Sequence, residues 1–131
     1  MDNYQTSSHI TYLCRYHVIF CPKYRRRILK DGLDDFIKKE FLHIAERYRF
    51  EIIEMEVMPD HVHLLISCNP HFGIMKCIAR LKGDSTQSMH DFDHSLKHRL
   101  PTIWTRSAFI STVDSISTEI VKNYIKNQKT N

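Results

Sequence analysis

The chain has 131 residues, of which 42% are hydrophobic and 26% charged, with only three glycines. That length suits one domain over residues 1–131 with its own core, and the composition excludes a disordered or low-complexity chain. No apolar run is long enough to span a bilayer, and "MDNYQTSSHI" is too polar for a signal peptide, so a soluble, cytoplasmic protein with no membrane partner is expected. Nineteen Lys and Arg against fifteen Asp and Glu leave +4, too mild to name a partner, so the distribution of charge matters more than its sum.

In chain order, "HITYLCRYHVIFC" predicts one strand. Tyr12, Cys14, Tyr16, Val18 and Phe20 fall on one face, and Leu13, Arg15, His17 and Ile19 on the other. Pro22 closes it, and Lys23, Arg25, Arg26, Arg27 and Lys30 follow around Tyr24. From Leu33 to about Tyr48, Phe36, Ile37, Phe41, Ile44, Ala45 and Tyr48 recur at helical spacing. "FEIIEMEVM" and "HVHLLIS" read as strands joined by "PD", an antiparallel hairpin. "FGIMKCIARLKG", which carries Arg80 and Lys82, predicts a helix that stops at Gly83. Met89, Phe92 and Leu96 hint at another helix before Pro101, and "TIWTRSAFIST" reads as strand, in one piece or two. "DSISTEIVKNYIKNQ" predicts a last helix with Ser117 as N-cap and Glu119 in its first turn. The order β-α-β-β-α-(α)-β-α predicts an α+β fold: a ferredoxin-like, RRM-like βαββαβ antiparallel sandwich with an added C-terminal helix.

Two histidines interrupt the apolar run of "VMPDHVHLLIS". Alternation puts His61, His63 and Leu65 on one face and Val62, Leu64 and Ile66 on the core face. The two imidazoles then stand roughly 7 Å apart at the backbone, close enough to reach one ion. Solvent-facing histidines fit the same pattern. On the last helix Ile116, Ile120, Tyr124 and Gln128 form one stripe beside Val121 and Ile125. Its phenol and amide mark either the wet end of an amphipathic contact or a working group. His90, His94 and His98 recur at spacing four and read as surface residues before metal ligands. Glu54 and Glu56 read as solvent-facing. Cys14, Cys21, Cys68 and Cys77 lack zinc spacing and are expected to be reduced, mostly buried thiols. The basic clusters suit a phosphate backbone with bases to stack on, or simply a solvated turn.

"YHVIFCPKYRRRIL", "VMPDHVHLLIS", "LPTIWTRSAFIST" and "IVKNYIKNQ" together resemble the single-tyrosine, TnpA-type transposases of small prokaryotic insertion sequences, in the HUH superfamily. The resemblance runs from about Tyr12 to Gln128, with His61-Val62-His63 as the HUH triplet. It implies that Tyr124 is the nucleophile and that His61, His63 and Gln128 hold Mg²⁺, with Mn²⁺ as a substitute. It also implies cutting and rejoining of single-stranded DNA with hairpin ends through a 5′-phosphotyrosine bond, by a homodimer. Lys23, Arg25, Arg26, Arg27, Arg80 and Lys82 are the expected phosphate contacts. The alternative is a non-catalytic nucleic-acid-binding module on the same fold. An RNA-binding sandwich presents aromatic residues on its central strands, where this sequence has histidines, which favours the enzyme.

Overall fold

The computed structural model describes residues 5–7, 10–113 and 118–128. Its elements are β1 (Gln5–Ser7), β2 (Ile10–Tyr12), β3 (Arg15–Phe20), α1 (Leu33–Tyr48), β4 (Glu51–Met58), β5 (His61–Ser67), α2 (Ile74–Phe92), α3 (His94–Arg99), β6 (Phe109–Thr112) and α4 (Thr118–Asn127). A single 3₁₀ turn, Lys23–Arg25, follows β3. Strands pair antiparallel in the order β4-β5-β3-β6, with β1 and β2 forming a separate two-stranded sheet. This is the expected ferredoxin-like sandwich with its additional helix.

One face of the four-stranded sheet carries the core. Val18, Phe20, Val62, Leu64 and Ile66 are fully buried there, against Ile37, Phe41 and Ile44 of α1 and Cys77, Leu81 and Met89 of α2. Each such side chain contributes about 1.5–3 kcal/mol of burial. Phe20 meets Trp104 edge-on at 4.9 Å between ring centres, and the indole N–H donates to Ser85 Oγ at 2.9 Å. That bond satisfies a polar pair that would otherwise be costly inside the core. Helices α1 and α2 therefore lie on one side, and the part of the opposite face that carries His61 and His63 is left free of them.

Two expectations are corrected. The first strand is split: β3 begins at Arg15, opposite Ser67, the last residue of β5. Beyond that point β5 offers no partner, so the chain leaves the sheet at Leu13 and Cys14, and Ile10–Tyr12 pairs locally with Gln5–Ser7. The second helix does not stop at Gly83 but runs to Phe92. Leu81, Ser85 and Met89 continue one buried stripe across the glycine, and tertiary burial overrides a weak local stop signal. The reading of His90, His94 and His98 as surface residues rather than ligands fits: His94 and His98 are exposed, and no one helical face carries all three, because the helix breaks at Asp93, which accepts from Ser95 N–H and caps α3. His90 Nε2–H instead donates to the Leu100 carbonyl at 2.9 Å.

Gly83 is exposed, and a Cβ built there meets nothing within 4 Å. Gly83→Ala is therefore expected to stabilise the protein by about 0.5–1 kcal/mol, since alanine loses less backbone entropy in a helix. A thermal melt checks this; a lowered Tm would mean that α2 is not continuous through position 83.

The "TIWTRSAFIST" segment forms two pieces, a bridge between Trp104 and Pro22 and then β6. The last helix is present over Thr118–Asn127. Its expected N-cap Ser117 and the stripe residue Ile116 lie outside the described residues, as do the side chains of Glu119, Ile120 and Val121. Among the described residues, no helix is long and apolar enough to cross a membrane.

Candidate active site on the open face of the sheet

β5 lies between β4 and β3, so His61 and His63 stand on a central strand that is hydrogen-bonded on both sides. His61 Nδ1 is 2.9 Å from Asp60 Oδ1, and the two side chains are 15% and 13% exposed. With a carboxylate accepting at Nδ1, the ring is held as the tautomer whose Nε2 lone pair is free. This is how metal-binding histidines are usually oriented. His63 Nε2 lies 3.2 Å from Nδ1 of His17, one nitrogen donating and the other accepting. Burial first, and the neighbouring His17 second, pull the His63 pKa below its ordinary value of 6.5. His63 is thus kept in the neutral form that can ligate. A cleft of about 320 Å³ opens beside this pair, lined by His17, Glu54, Met55, Glu56, His63 and Leu65. Glu54 and Glu56 are exposed as expected, and a register shift between Ile52 and Glu54 sets them on the histidine face, with Glu56 directly opposite His63.

The last helix reaches the same face. Pairing aligns His63, Ile19 and Phe109 in one row across β5, β3 and β6, about 10 Å from end to end at the usual strand spacing. Ile19 is fully buried although it points away from α1 and α2, which marks this end of the open face as covered. The Tyr124 ring packs on Phe109 at 5.3 Å between centres. Its O–H points to Ser107 Oγ at a long 3.5 Å, and Ser107 O–H donates to Gln128 Oε1 at 2.9 Å. One hydroxyl therefore ties the phenol and the amide together. Desolvation raises the Tyr124 pKa above 10.0, the Ser107 hydrogen bond opposes this, and Cys21 adds to it. The phenol is protonated at neutral pH, so it needs activation to attack. Gln128 is 4% exposed, and its amide oxygen keeps a second lone pair.

A charged bridge joins the two halves. Asp60 Oδ2 pairs with Arg25 Nε at 3.0 Å, and Arg25 Nη1 donates to the Ile125 carbonyl of α4 at 2.8 Å. Cys21, fully buried beside them, is pushed up to about 12 by burial and by Asp60, so its thiol is inert.

Among the described residues, no group of three or more His, Cys, Asp and Glu could hold a metal ion. A site built on His61 and His63 therefore needs a ligand of another type, and the Gln128 amide is such a donor. Two imidazoles and one amide oxygen fit a divalent ion of borderline character, Mn²⁺ better than Mg²⁺.

The basic residues do not form one surface. Arg26 and Arg27 are exposed, whereas Arg25 turns inward. Lys23 reaches toward the Tyr24 ring and lines a cavity of about 410 Å³ with Thr102, Trp104, Thr105, Arg106 and Ser107. Arg80 lies over the Tyr48 ring, in the helical layer behind the sheet. Lys82 donates to the carbonyls of Thr105 and Ser107 at 2.8 and 2.9 Å, and burial pulls its pKa down to about 8. That lysine pins the loop carrying Ser107. His17, Asp60 and Ser107 join the site without having been singled out from sequence. Asp60 was legible beside His61, and His17 by alternation, but nothing local marked Ser107.

Over residues 10–128 the chain matches the family described as "Transposase IS200 like". It belongs to the IS200-like transposases. The chain is 38% identical over 119 residues to the ISDra2 transposase TnpA of Deinococcus radiodurans, covering 89% of this chain and 85% of that protein. It is 28% identical over 130 residues to the transposase of insertion sequence element IS200 from Salmonella typhimurium, covering 98% and 85%. A crystal structure of a protein assigned as a transposase from Deinococcus radiodurans R1 superposes with a TM-score of 0.87 at 32% identity, over 95% of this chain and 97% of that one. A REP-associated tyrosine transposase, solved bound to a REP hairpin, shares the fold at a TM-score of 0.57 and 14% identity, over 92% and 68%. As an IS200-like transposase, the protein serves DNA transposition by cleaving and transferring DNA strands.

Proposed function

We propose that this transposase cuts and rejoins single-stranded DNA at the ends of its insertion sequence, with Tyr124 as nucleophile. The Tyr124 phenol gives up its proton to solvent as its oxygen forms a bond to phosphorus, the bond from phosphorus to the 3′ oxygen breaks, and that oxygen takes up a proton in turn. A 5′-phosphotyrosine and a free 3′-OH result, and the reverse step rejoins strands without external energy because the ester conserves the phosphodiester bond. A divalent ion, Mg²⁺ or Mn²⁺, held by His61, His63 and Gln128 would polarise the scissile phosphate and neutralise developing charge. Asp60 and His17 orient the two imidazoles, and Ser107 aligns the phenol and the amide. Residues 1–131 act as one HUH domain and work as a homodimer on DNA with hairpin ends; a hairpin is also the bound ligand of the REP-associated neighbour.

The observation that carries this reading is the bridge His61–Asp60–Arg25–Ile125. It draws the helix bearing the phenol to the strand bearing the imidazoles, although the two are far apart in sequence. The test is incubation of the full chain with single-stranded DNA from its own element ends plus Mn²⁺. A protein–DNA adduct that survives denaturing electrophoresis is expected, and unchanged DNA would refute the proposal.

Arg26 and Arg27, exposed on the turn, are the proposed phosphate contacts there. Replacing both with alanine is expected to flatten the slope of log affinity against log salt by about 1.4, at about 0.7 per phosphate on single-stranded DNA. Titrations between low and physiological salt measure it. An unchanged slope would leave this turn as mere surface.

A further inference from the structure

Arg25 is surrounded by basic residues in the sequence, yet the fold treats it differently from Arg26 and Arg27. Tyr24 and Arg25 occupy consecutive left-handed conformations, with φ of 61° and 50°. Neither is glycine, and each such residue costs on the order of 1–3 kcal/mol unless its surroundings hold it. The turn swings the Arg25 side chain inward until it is 16% exposed, while Tyr24 stays 56% exposed. What holds the strained turn is visible: Lys23 N–H donates to the Ile103 carbonyl at 2.7 Å, and Arg25 makes its two contacts. Those contacts point in different directions. Nε meets Asp60 Oδ2, and Nη1 meets the Ile125 carbonyl. Only a planar guanidinium, with donors fixed in a fork, serves both at once; an ammonium presents a single point.

The carbonyl it holds is not arbitrary. Ile125 lies in the last turn of α4, where helix carbonyls lack intrahelical donors and the dipole favours a cation. Ile125 also directly follows Tyr124 and precedes Gln128 by three residues. Asp60, the other partner, spends its second oxygen on His61 Nδ1. Both side-chain contacts of this arginine thus lead to groups of the active site.

We propose that Arg25 is a positioning residue, a latch that fixes the helix carrying Tyr124 and Gln128 against the histidine strand through Asp60, and that it does not contact DNA phosphate. The proposal rests on the nucleophile reading above. It separates Arg25 from its exposed neighbours: they set affinity, whereas Arg25 sets the reacting geometry. A misplacement of about 1 Å at a reacting centre can cost on the order of 100-fold in rate.

The test uses the full chain with Mn²⁺ and compares wild type, Arg25→Ala, Arg25→Lys, Asp60→Asn and the double variant Arg25→Ala/Asp60→Asn. Single-stranded DNA affinity and its salt slope are expected to stay at wild-type values in Arg25→Ala. The rate of adduct formation at saturating DNA is expected to fall on the order of 100-fold. Arg25→Lys, which keeps the charge and loses the fork, is expected to recover affinity-neutral behaviour but not rate. The double variant is expected to lose far less than the two single losses multiplied, because both break one connection. Amide hydrogen exchange across residues 118–128 is expected to accelerate in Arg25→Ala and Arg25→Lys, with the sheet amides unchanged. That last measurement needs no activity, so it still decides the latch if the wild type forms no adduct and the nucleophile reading fails. A salt slope lowered by about 0.7 in Arg25→Ala, the signature of one lost phosphate contact, would overturn the proposal. So would unchanged exchange in α4, or full rescue of rate by Arg25→Lys.

Discussion

Tyr124→Phe is expected to abolish the covalent protein–DNA adduct altogether while leaving single-stranded DNA binding at wild-type strength. The substitution removes one oxygen and keeps the ring that packs on Phe109. The hydrogen bond lost is the long one, 3.5 Å to Ser107, and Ser107 retains its shorter bond to Gln128. The stability cost should therefore stay below about 1 kcal/mol, at the lower end for a partly exposed hydrogen bond. Chemistry, by contrast, has no fallback, since without the phenol oxygen no ester can form. Denaturing electrophoresis detects the adduct in the wild type, and peptide mapping should place it within "NYIKNQ". An adduct on Tyr24, which is 56% exposed, would keep the reaction class and overturn the site. An adduct formed equally well by Tyr124→Phe would reduce Tyr124 to the wet edge of an amphipathic helix.

The second large effect concerns the histidine pair. His61→Ala and His63→Ala are each expected to lower adduct formation at least about 1,000-fold, as is excess chelator on the wild type. The scale follows from the several kcal/mol of charge stabilisation that a bound ion supplies, at 1.36 kcal/mol per tenfold. Added Mn²⁺ should restore the chelated wild type and neither variant. Both folds should persist, because these side chains lie on the open face while Val62, Leu64 and Ile66 hold the core. His61→Ala should be the more destabilising of the two. It leaves Asp60 Oδ1 without its partner in a site only 13% exposed, a loss of about 1–3 kcal/mol less whatever water recovers. Paramagnetic titration of Mn²⁺ without DNA reads the site independently of turnover, and unaltered Mn²⁺ binding in both variants would remove the ion from this position. Full cleavage in excess chelator would do the same for the reaction.

Much of this protein was legible in its residues because the relevant signals are local. Period-two alternation in "HVHLLIS" assigned His61 and His63 to one face and Val62, Leu64 and Ile66 to the other, and strand β5 has that pattern. Helical spacing found α1, which buries the stripe that its own sequence defines, and found α4, which is helical over Thr118–Asn127. The motif pair, H-x-H and Y-x-x-x-Q, pointed to the family because those spacings seldom coincide by chance. Where a local signal competed with packing, packing won. Gly83 reads as a stop, but Leu81, Ser85 and Met89 are buried on both sides of it, and the helix continues. "HITYLCRYHVIFC" reads as one strand, but β5 ends opposite Arg15, and a strand cannot outlast its partner.

Only the tertiary structure could separate Arg25 from Arg26 and Arg27. Three adjacent arginines are equivalent to any reading by composition, and what distinguishes them is a left-handed turn and a carboxylate brought from Asp60. The same holds for Lys82, whose amine is engaged by the carbonyls of Thr105 and Ser107, and for Arg80, set behind the sheet on Tyr48. It holds most of all for Ser107, a serine in an undistinguished stretch that becomes the common partner of Tyr124 and Gln128. Side-chain periodicity is a property of one segment and can be read from it. Hydrogen-bond partnership belongs to two segments, and closure of the fold decides which two meet.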